Sequence, residues 1–174
     1  MNKELIDIAI ERLSYQLIEK HNKFESSILI GLQPRGAFLC KRVLKKLNFL
    51  LPTIDIKSGN LDISFYRDDL MRRDHPIEPD IMDINLSFED KNIILVDDVL
   101  FTGRSIRSAL DAILSFGRPK TVELLTLINR RFSRHLPIEP TYVGKTIDAL
   151  SEEKVIVEWK ELHGIDRVLM KKNT

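Results

Sequence analysis

The first twenty residues place apolar side chains at the spacing of an amphipathic helix. Charged residues occupy most of the positions between them, as expected for a helix with one face on a core and the other in water. The chain is therefore predicted to open with a helix. Its apolar positions are Leu5, Ile6, Ala9, Ile10, Leu13, Leu17 and Ile18.

Short apolar runs and helical patterns then alternate along the chain. Strands that alternate with helices favour an α/β fold with a mainly parallel, twisted sheet and helices on both faces. Ligands of such folds bind beyond the carboxyl ends of the strands. The predicted strands are 27–30, 61–65, 92–96, 121–128, 155–159 and 166–170, and the later predicted helices are 38–47 and 103–116.

A charged stretch from Leu70 to Asp90 separates two of these strands. It contains Pro76 and Pro79 and shows no clear period, which predicts a long loop, with or without a short hairpin. Loops of this length in compact domains are usually functional.

Composition limits the classes of function. The chain has 174 residues, 43% of them hydrophobic, which is enough for one well-buried core, so a single domain over 1–174 is expected. Its 27 basic and 26 acidic residues leave a net charge of +1, so no overall positive charge predicts a nucleic acid or membrane partner. The single cysteine, Cys40, lies in a helical apolar pattern and is predicted to be part of the core. Without a signal sequence or a long apolar run, a cytoplasmic protein is expected.

Most of the candidate functional side chains follow the apolar run 92–96. Asp97 and Asp98 follow it directly, and two adjacent carboxylates repel one another unless a ligand favours them. The two hydroxyls of a ribose can each donate to a carboxylate, and the paired charge suits Mg²⁺ or a developing ribosyl cation. The structural alternative is a solvated strand end or a helix cap.

The next residues form a turn that leads into a predicted helix. Backbone N–H groups and the hydroxyls of Thr102 and Ser105 can surround a phosphate there, and Gly103 lets the backbone come close. The sequence has neither the P-loop nor the dinucleotide-binding glycine pattern. A monophosphate beside a diol is therefore the better fit.

These residues, 93–105 (IILVDDVLFTGRS), are similar to the phosphoribosyl pyrophosphate signature of type I phosphoribosyltransferases. Further segments resemble the PyrR family, and together they span most of the chain. The segments are Gly31–Gly36, Gly59–Ile63 with Tyr66–Leu70, Gly117–Pro119, and Leu136–Ile138 with Tyr142–Lys145.

The resemblance implies a type I phosphoribosyltransferase fold with a small hood and a long flexible loop. It implies a Mg²⁺-dependent uracil phosphoribosyltransferase that makes UMP from 5-phosphoribosyl-1-pyrophosphate, with the metal held mainly through the substrate, and a homodimer or higher oligomer. It also implies an alternative, a UMP-sensing attenuator that binds pyrimidine-operon mRNA with little or no catalysis. A phosphoribosyltransferase for a purine base is a third interpretation.

The same resemblance assigns roles to individual residues. Asp97, Asp98, Arg35 and Arg67 are the predicted catalytic residues, with Arg35 binding the pyrophosphate and Arg67 in the closing loop. Read without the family, residues 33–36 could be an ordinary turn and residues 66–69 a solvated edge. The predicted substrate-binding residues are Pro34, Gly36, Tyr66, Asp68, Asp69, Val99, Leu100, Phe101, Thr102, Gly103, Arg104, Ser105, and, near uracil, Arg134, Tyr142, Val143, Gly144 and Lys145.

Two positions depart from the pattern of the family. Asn129 precedes Arg130 where relatives usually have an acid, which keeps hydrogen bonding and loses the charge. Pro34 stands where relatives often have threonine, which removes a donor from the predicted pyrophosphate loop. Altered activity is the expected consequence.

Overall fold

The computed structural model describes residues 1–63, 87–150 and 152–172. Within them a helix precedes the first strand, and helices separate strand 27–32 from strand 57–61 and strand 92–100 from strand 121–131, as the hydrophobic pattern predicts. A single 3₁₀ turn, Leu114–Phe116, follows α3. The elements in order are α1 (Lys3–His21), β1 (Ser27–Leu32), α2 (Gly36–Leu50), β2 (Lys57–Leu61), β3 (Asn92–Leu100), α3 (Arg104–Ile113), β4 (Thr121–Arg131), β5 (Tyr142–Asp148), β6 (Glu153–Glu158), α4 (Lys160–His163) and β7 (Arg167–Lys172).

Five of the described strands form a parallel sheet in the order β2-β1-β3-β4-β5. Strand β3 lies at its centre, so its carboxyl end opens at the middle of one sheet edge. The antiparallel pair β6 and β7 forms a separate small sheet.

Alternate residues of β3 pack into two different cores. Ile94 and Val96 belong to the core under α1 and α2, whereas Ile93 and Leu95 belong to the core under α3. Helices therefore cover both faces of the sheet, which confirms the predicted fold class. Cys40 is buried among the α2 residues, and burial raises the pKa of its thiol to about 12, as suits a core residue.

The strands differ most from the predictions at three places, and the other described strands begin and end within three residues of their predicted limits. β3 continues beyond Val96 to Leu100, because its hydrogen-bonded pairing with β4 extends to the Leu100–Asn129 pair. β2 covers Lys57–Leu61, not 61–65, because it pairs with β1 over that range. β5 was not predicted, since its sequence YVGKTID contains few apolar residues. The predicted long loop lies largely outside the described residues.

None of the helices in the described ranges is both long enough and apolar enough to cross a membrane.

Candidate active site

The two acids predicted from the sequence lie side by side near the end of β3. The backbone N–H of Asp98 donates to Asp97 Oδ1 over 2.9 Å. Asp98 is 7% exposed, and its Oδ2 has no hydrogen-bond partner in the described part of the chain. A buried carboxylate oxygen without a donor is costly, and a ligand hydroxyl or cation would relieve that cost.

The electrostatics of the pair follow from this burial. Burial raises the pKa of Asp97 well above its ordinary value, and the neighbouring charge of Asp98 raises it further. Burial also raises the pKa of Asp98, while the Arg35 guanidinium acts in the opposite direction on both carboxyls. The strand thus holds two carboxylates whose charge the neighbouring groups of the protein do not fully compensate.

A cavity of about 320 Å³ adjoins Asp97. It reaches from the end of β3 around the predicted phosphate loop to the first turn of α3. Eight of the predicted site residues line its walls. Those residues are Asp97, Val99, Leu100, Phe101, Thr102, Gly103, Arg104 and Ser105.

Gly103 shapes the loop at the start of α3. Its φ of +90° lies in the left-handed region, where a side chain is strained. A Cβ added there would lie 3.3 Å from Ile138 Cδ1 and 3.5 Å from Leu136 Cβ. The N–H groups in the first turn of α3 lack partners within the helix, so this end of the helix suits an anion.

The predicted pyrophosphate loop, residues 33–36, lies against the same strand. The Gln33 N–H donates to the Leu61 carbonyl over 2.9 Å, which ties the loop to the end of β2. A Cβ added to Gly36 would lie 2.3 Å from the Val96 carbonyl oxygen and 3.0 Å from Asp97 Cα. Only glycine allows this approach, and it brings the loop and Arg35 next to the acid pair.

Arg134 contacts the backbone of the predicted phosphate loop, although it does not line the cavity. Its Nη2 donates to Asn129 Oδ1 over 2.7 Å, and its Nη1 donates to the Phe101 carbonyl. Arg130 stacks on the Phe101 ring, with Cζ 3.9 Å from the ring centroid. Sequence reasoning did not predict this cluster, because no local motif links residue 101 with residues 129–134.

The predicted uracil residues Tyr142 to Lys145 are not gathered around the cavity. The Tyr142 ring is buried in the core under α1, and its hydroxyl donates to Glu123 Oε2 over 2.6 Å. Arg12 on α1 donates to the Val143 and Gly144 carbonyls. Their role toward uracil stays a prediction. The predicted closing-loop residues Tyr66, Arg67, Asp68 and Asp69 lie outside the described residues.

Comparison with known proteins decides the family. Residues 2–161 match the phosphoribosyl transferase domain. The "Bifunctional protein PyrR" of Enterococcus faecalis is 41% identical over 175 residues, covering 98% of this chain and 97% of the relative. That of Streptococcus agalactiae is 42% identical over 171 residues, covering 95% of each. The chain belongs to the PyrR family. The phosphoribosyltransferase class predicted from residues 93–105 is thereby confirmed.

Solved structures support the same fold. A hypoxanthine phosphoribosyltransferase from Staphylococcus aureus superposes with a TM-score of 0.67 at 22% identity, covering 92% of this chain and 84% of that one. A hypoxanthine-guanine phosphoribosyltransferase from Bacillus anthracis gives a TM-score of 0.69 at 16% identity, covering 99% and 95%. At these identities the likeness concerns the fold alone.

Proposed function

We propose that this PyrR-family protein transfers ribose 5-phosphate from 5-phosphoribosyl-1-pyrophosphate to uracil, giving UMP and pyrophosphate. The observation that carries the proposal is the single cavity wall that runs from Asp97 to the phosphate loop at the start of α3. A diol partner and a phosphate partner thus adjoin one space, as a ribose 5-phosphate requires.

In the proposed reaction, the bond from C1 of the ribose to the pyrophosphate oxygen breaks as the bond from C1 to the uracil nitrogen forms, and the proton of that nitrogen is released to the leaving pyrophosphate or to water. Positive charge develops on the ribose in between. Asp97 and Asp98 hold the ribose hydroxyls and stabilise this charge, while Thr102 to Ser105 hold the 5-phosphate. The protein acts mainly by positioning and by charge stabilisation.

The leaving pyrophosphate belongs beside Arg35 and the loop that Gly36 packs onto β3. Arg35 offers a planar fork of donors that suits phosphate oxygens. Arg67 and its neighbours Tyr66, Asp68 and Asp69 are proposed to belong to a loop that closes over the reacting centre and excludes water.

The residues present fit a magnesium ion held mainly through the substrate. Among the described residues no cluster of three potential protein ligands occurs, but the adjacent carboxylates of Asp97 and Asp98 offer oxygen, including one unpartnered oxygen. Mg²⁺ commonly uses one or two carboxylates together with substrate phosphates. When bound, it would neutralise charge on the leaving pyrophosphate.

The test is a pyrophosphate-release assay with phosphoribosyl pyrophosphate and one base at a time. Uracil, hypoxanthine, guanine and orotate are offered in turn, each with and without Mg²⁺. We expect Mg²⁺-dependent release and UMP formation with uracil, and little release with the other three. Preference for hypoxanthine or guanine would replace the proposal with a purine enzyme, and no release with any base would favour the regulator.

The second candidate is a UMP-sensing attenuator that binds pyrimidine-operon mRNA. The observation in its favour is that the relatives at 41–42% identity are named bifunctional. It uses the same nucleotide site, so it differs from the first candidate by turnover and by RNA affinity.

A further inference from the structure

Two arginines from one segment hold Phe101, the aromatic residue in the phosphate loop. Arg130 lies over its ring, with Cζ 3.9 Å from the centroid, which is close for a cation–π contact. Arg134 Nη1 donates to its carbonyl. The ring and the backbone of Phe101 are thus both held by the segment that contains Arg130 and Arg134.

Both arginines are themselves anchored. Arg130 is 4% exposed and its Nη2 donates to the Leu150 carbonyl over 3.1 Å. Arg134 Nη2 donates to Asn129 Oδ1 over 2.7 Å. The guanidinium groups therefore have defined orientations and are not free surface charges.

Burial of these two cations is costly. The Nε atoms of Arg130 and Arg134 are buried and find no hydrogen-bond partner among the described residues. Burial also lowers the pKa of both guanidinium groups, and the charges of Glu153 near Arg130 and of Glu139, 4.0 Å from Arg134 Nε, offset this only in part. A buried charge that is kept without full compensation calls for a role beyond packing.

The segment after β4 supports the loop at two further points. The His135 N–H donates to the Thr102 carbonyl over 3.0 Å. Ile138 and Leu136 lie against the space where Gly103 has no side chain. Residues 101, 102 and 103 are therefore each in contact with residues 130–138.

We propose that Arg130 and Arg134 are positioning residues that clamp Phe101 and so preorganise the phosphate loop for the 5-phosphate. The inference rests on the proposed function, because that function makes this loop the phosphate site. Neither arginine has to touch the substrate. They order the loop before the ligand binds, so that binding loses less conformational entropy.

The clamp gives a role to Asn129, which stands where the family pattern has an acid. Its neutral amide oxygen accepts a hydrogen bond from Arg134 Nη2. This bond orients the guanidinium group so that Nη1 donates to the Phe101 carbonyl. Asn129 thus acts through Arg134. The competing interpretation, implied by the resemblance, is that Arg134 recognises uracil.

The experiment measures ribose 5-phosphate binding by calorimetry and the KM of each substrate at saturating concentration of the other. Arg130→Lys and Arg134→Lys keep the charge but lose the planar fork. We expect each to weaken ribose 5-phosphate binding about tenfold to hundredfold, as loss of a charged hydrogen bond does. The KM for phosphoribosyl pyrophosphate should rise in parallel, with the KM for uracil unchanged.

The matched control is Arg131→Lys, on the same strand. Arg131 is exposed and pairs with Asp148 over 2.6 Å and 2.8 Å, away from the loop, so both affinities should stay at wild-type values. Asn129→Leu should resemble Arg134→Lys, and Asn129→Asp, which keeps an acceptor, should lose less. If a lysine variant fails to fold, Phe101→Leu provides the test, because it removes only the stacked ring.

The outcomes separate the two proposals. Wild-type affinity for ribose 5-phosphate in Arg134→Lys, or a rise confined to the uracil KM, would overturn the clamp and favour base recognition. For Phe101→Leu, unchanged ribose 5-phosphate affinity would overturn it. If the wild-type protein binds neither ribose 5-phosphate nor phosphoribosyl pyrophosphate, the proposed function itself fails and the clamp fails with it.

Discussion

Asp97 and Asp98 occupy adjacent positions in which burial raises the pKa of both carboxyls. In the unfolded chain an aspartate has a pKa of about 3.9. Above that pH the folded protein retains protons that the unfolded chain has lost, so its stability falls as the pH rises through the raised folded pKa. The charged pair therefore lowers the free energy of unfolding as the pH rises.

The first prediction concerns this pair. Asp97→Asn with Asp98→Asn removes the charges, so we expect loss of transfer together with a higher Tm than wild type in the absence of ligand. The gain in Tm should grow as the pH rises above the unfolded-state pKa of about 3.9, because the wild-type protein loses stability until its folded carboxyls are fully charged. Thermal melts over a series of pH values and the transfer assay measure both effects. Normal turnover of the double variant would show that the ribose assignment is wrong.

The second prediction concerns Gly103. Gly103→Val places a branched side chain at a φ of +90°, where its Cβ is too close to Ile138 for ordinary van der Waals contact and touches Leu136. We expect ribose 5-phosphate binding to be lost in calorimetry. Gly164→Val is the matched control, because Gly164 also has a positive φ of +73° but nothing lies within 4 Å of its added Cβ. Equal affinity in the Gly103 variant and wild type would count against a phosphate site at this loop.

At the scale of elements, the hydrophobic pattern predicted the buried segments well and the edges poorly. Strands β1, β3 and β4 were found because they are continuous apolar runs. Strand β2 (KSGNL) and strand β5 (YVGKTID) are the two edges of the sheet, and their pairing with β1 and β4, not their own pattern, makes them strands. Such pairing joins distant segments and is not visible in a local window.

The candidate site likewise has a part that the sequence predicts and a part that only the folded structure shows. The acid pair and the phosphate loop are contiguous in sequence, so a motif could identify them. The contacts of Phe101 with Arg130 and Arg134 join β4 and the loop after it to the end of β3. No spacing rule predicts them, and the Asn129 substitution is understandable only once its bond to Arg134 is seen.

The third prediction concerns Tyr142, at the start of β5. Its hydroxyl donates to Glu123, which also pairs with Lys20 over 2.9 Å. Burial, followed by the hydrogen bond to Glu123 and its charge, raises the pKa of Tyr142. Tyr142→Phe removes a hydrogen bond to a charged group, so we expect a loss of about 1.5–3 kcal/mol in the free energy of unfolding. Urea titration measures it.

The exposed Tyr15 of α1 supplies the control, since Tyr15→Phe should leave the free energy of unfolding unchanged. The KM for uracil should also stay at the wild-type value in Tyr142→Phe, because the hydroxyl is engaged inside the core. A selective rise in that KM would instead mean that the Tyr142 side chain takes part in base recognition.

At the scale of the whole molecule, charge bears on RNA binding. A net charge of +1 supplies no long-range attraction for a polyanion. The local basic patch that the sequence offers consists of Arg12, Lys20, Lys23, Lys41 and Arg42. Three of its five members have partners within the chain: Arg12 binds the Val143 and Gly144 carbonyls, Lys20 pairs with Glu123, and Arg42 pairs with Glu161 and Asp166.

The fourth prediction is that any RNA binding is weaker or differently specified than in the attenuators of the family. Only Lys23 and Lys41 of the patch are exposed without a contact described above, so we expect few phosphate contacts. Each contact to single-stranded RNA contributes a slope of about −0.7 in log affinity against log salt. Two contacts per chain therefore give a shallow dependence of about −1.4, and Lys41→Gln should reduce it by about half.

The measurement is a titration with the leader RNA of the organism's own pyrimidine genes, at several salt concentrations, with and without UMP. A scrambled RNA of equal length controls for sequence selectivity. Tight, selective and UMP-enhanced binding near physiological salt would contradict the prediction, because it would require Arg12, Lys20 or Arg42 to exchange their internal partners for RNA phosphates. Regulation would then be a second function of the enzyme, and RNA binding would have to replace the contacts that Arg12, Lys20 and Arg42 make within the chain.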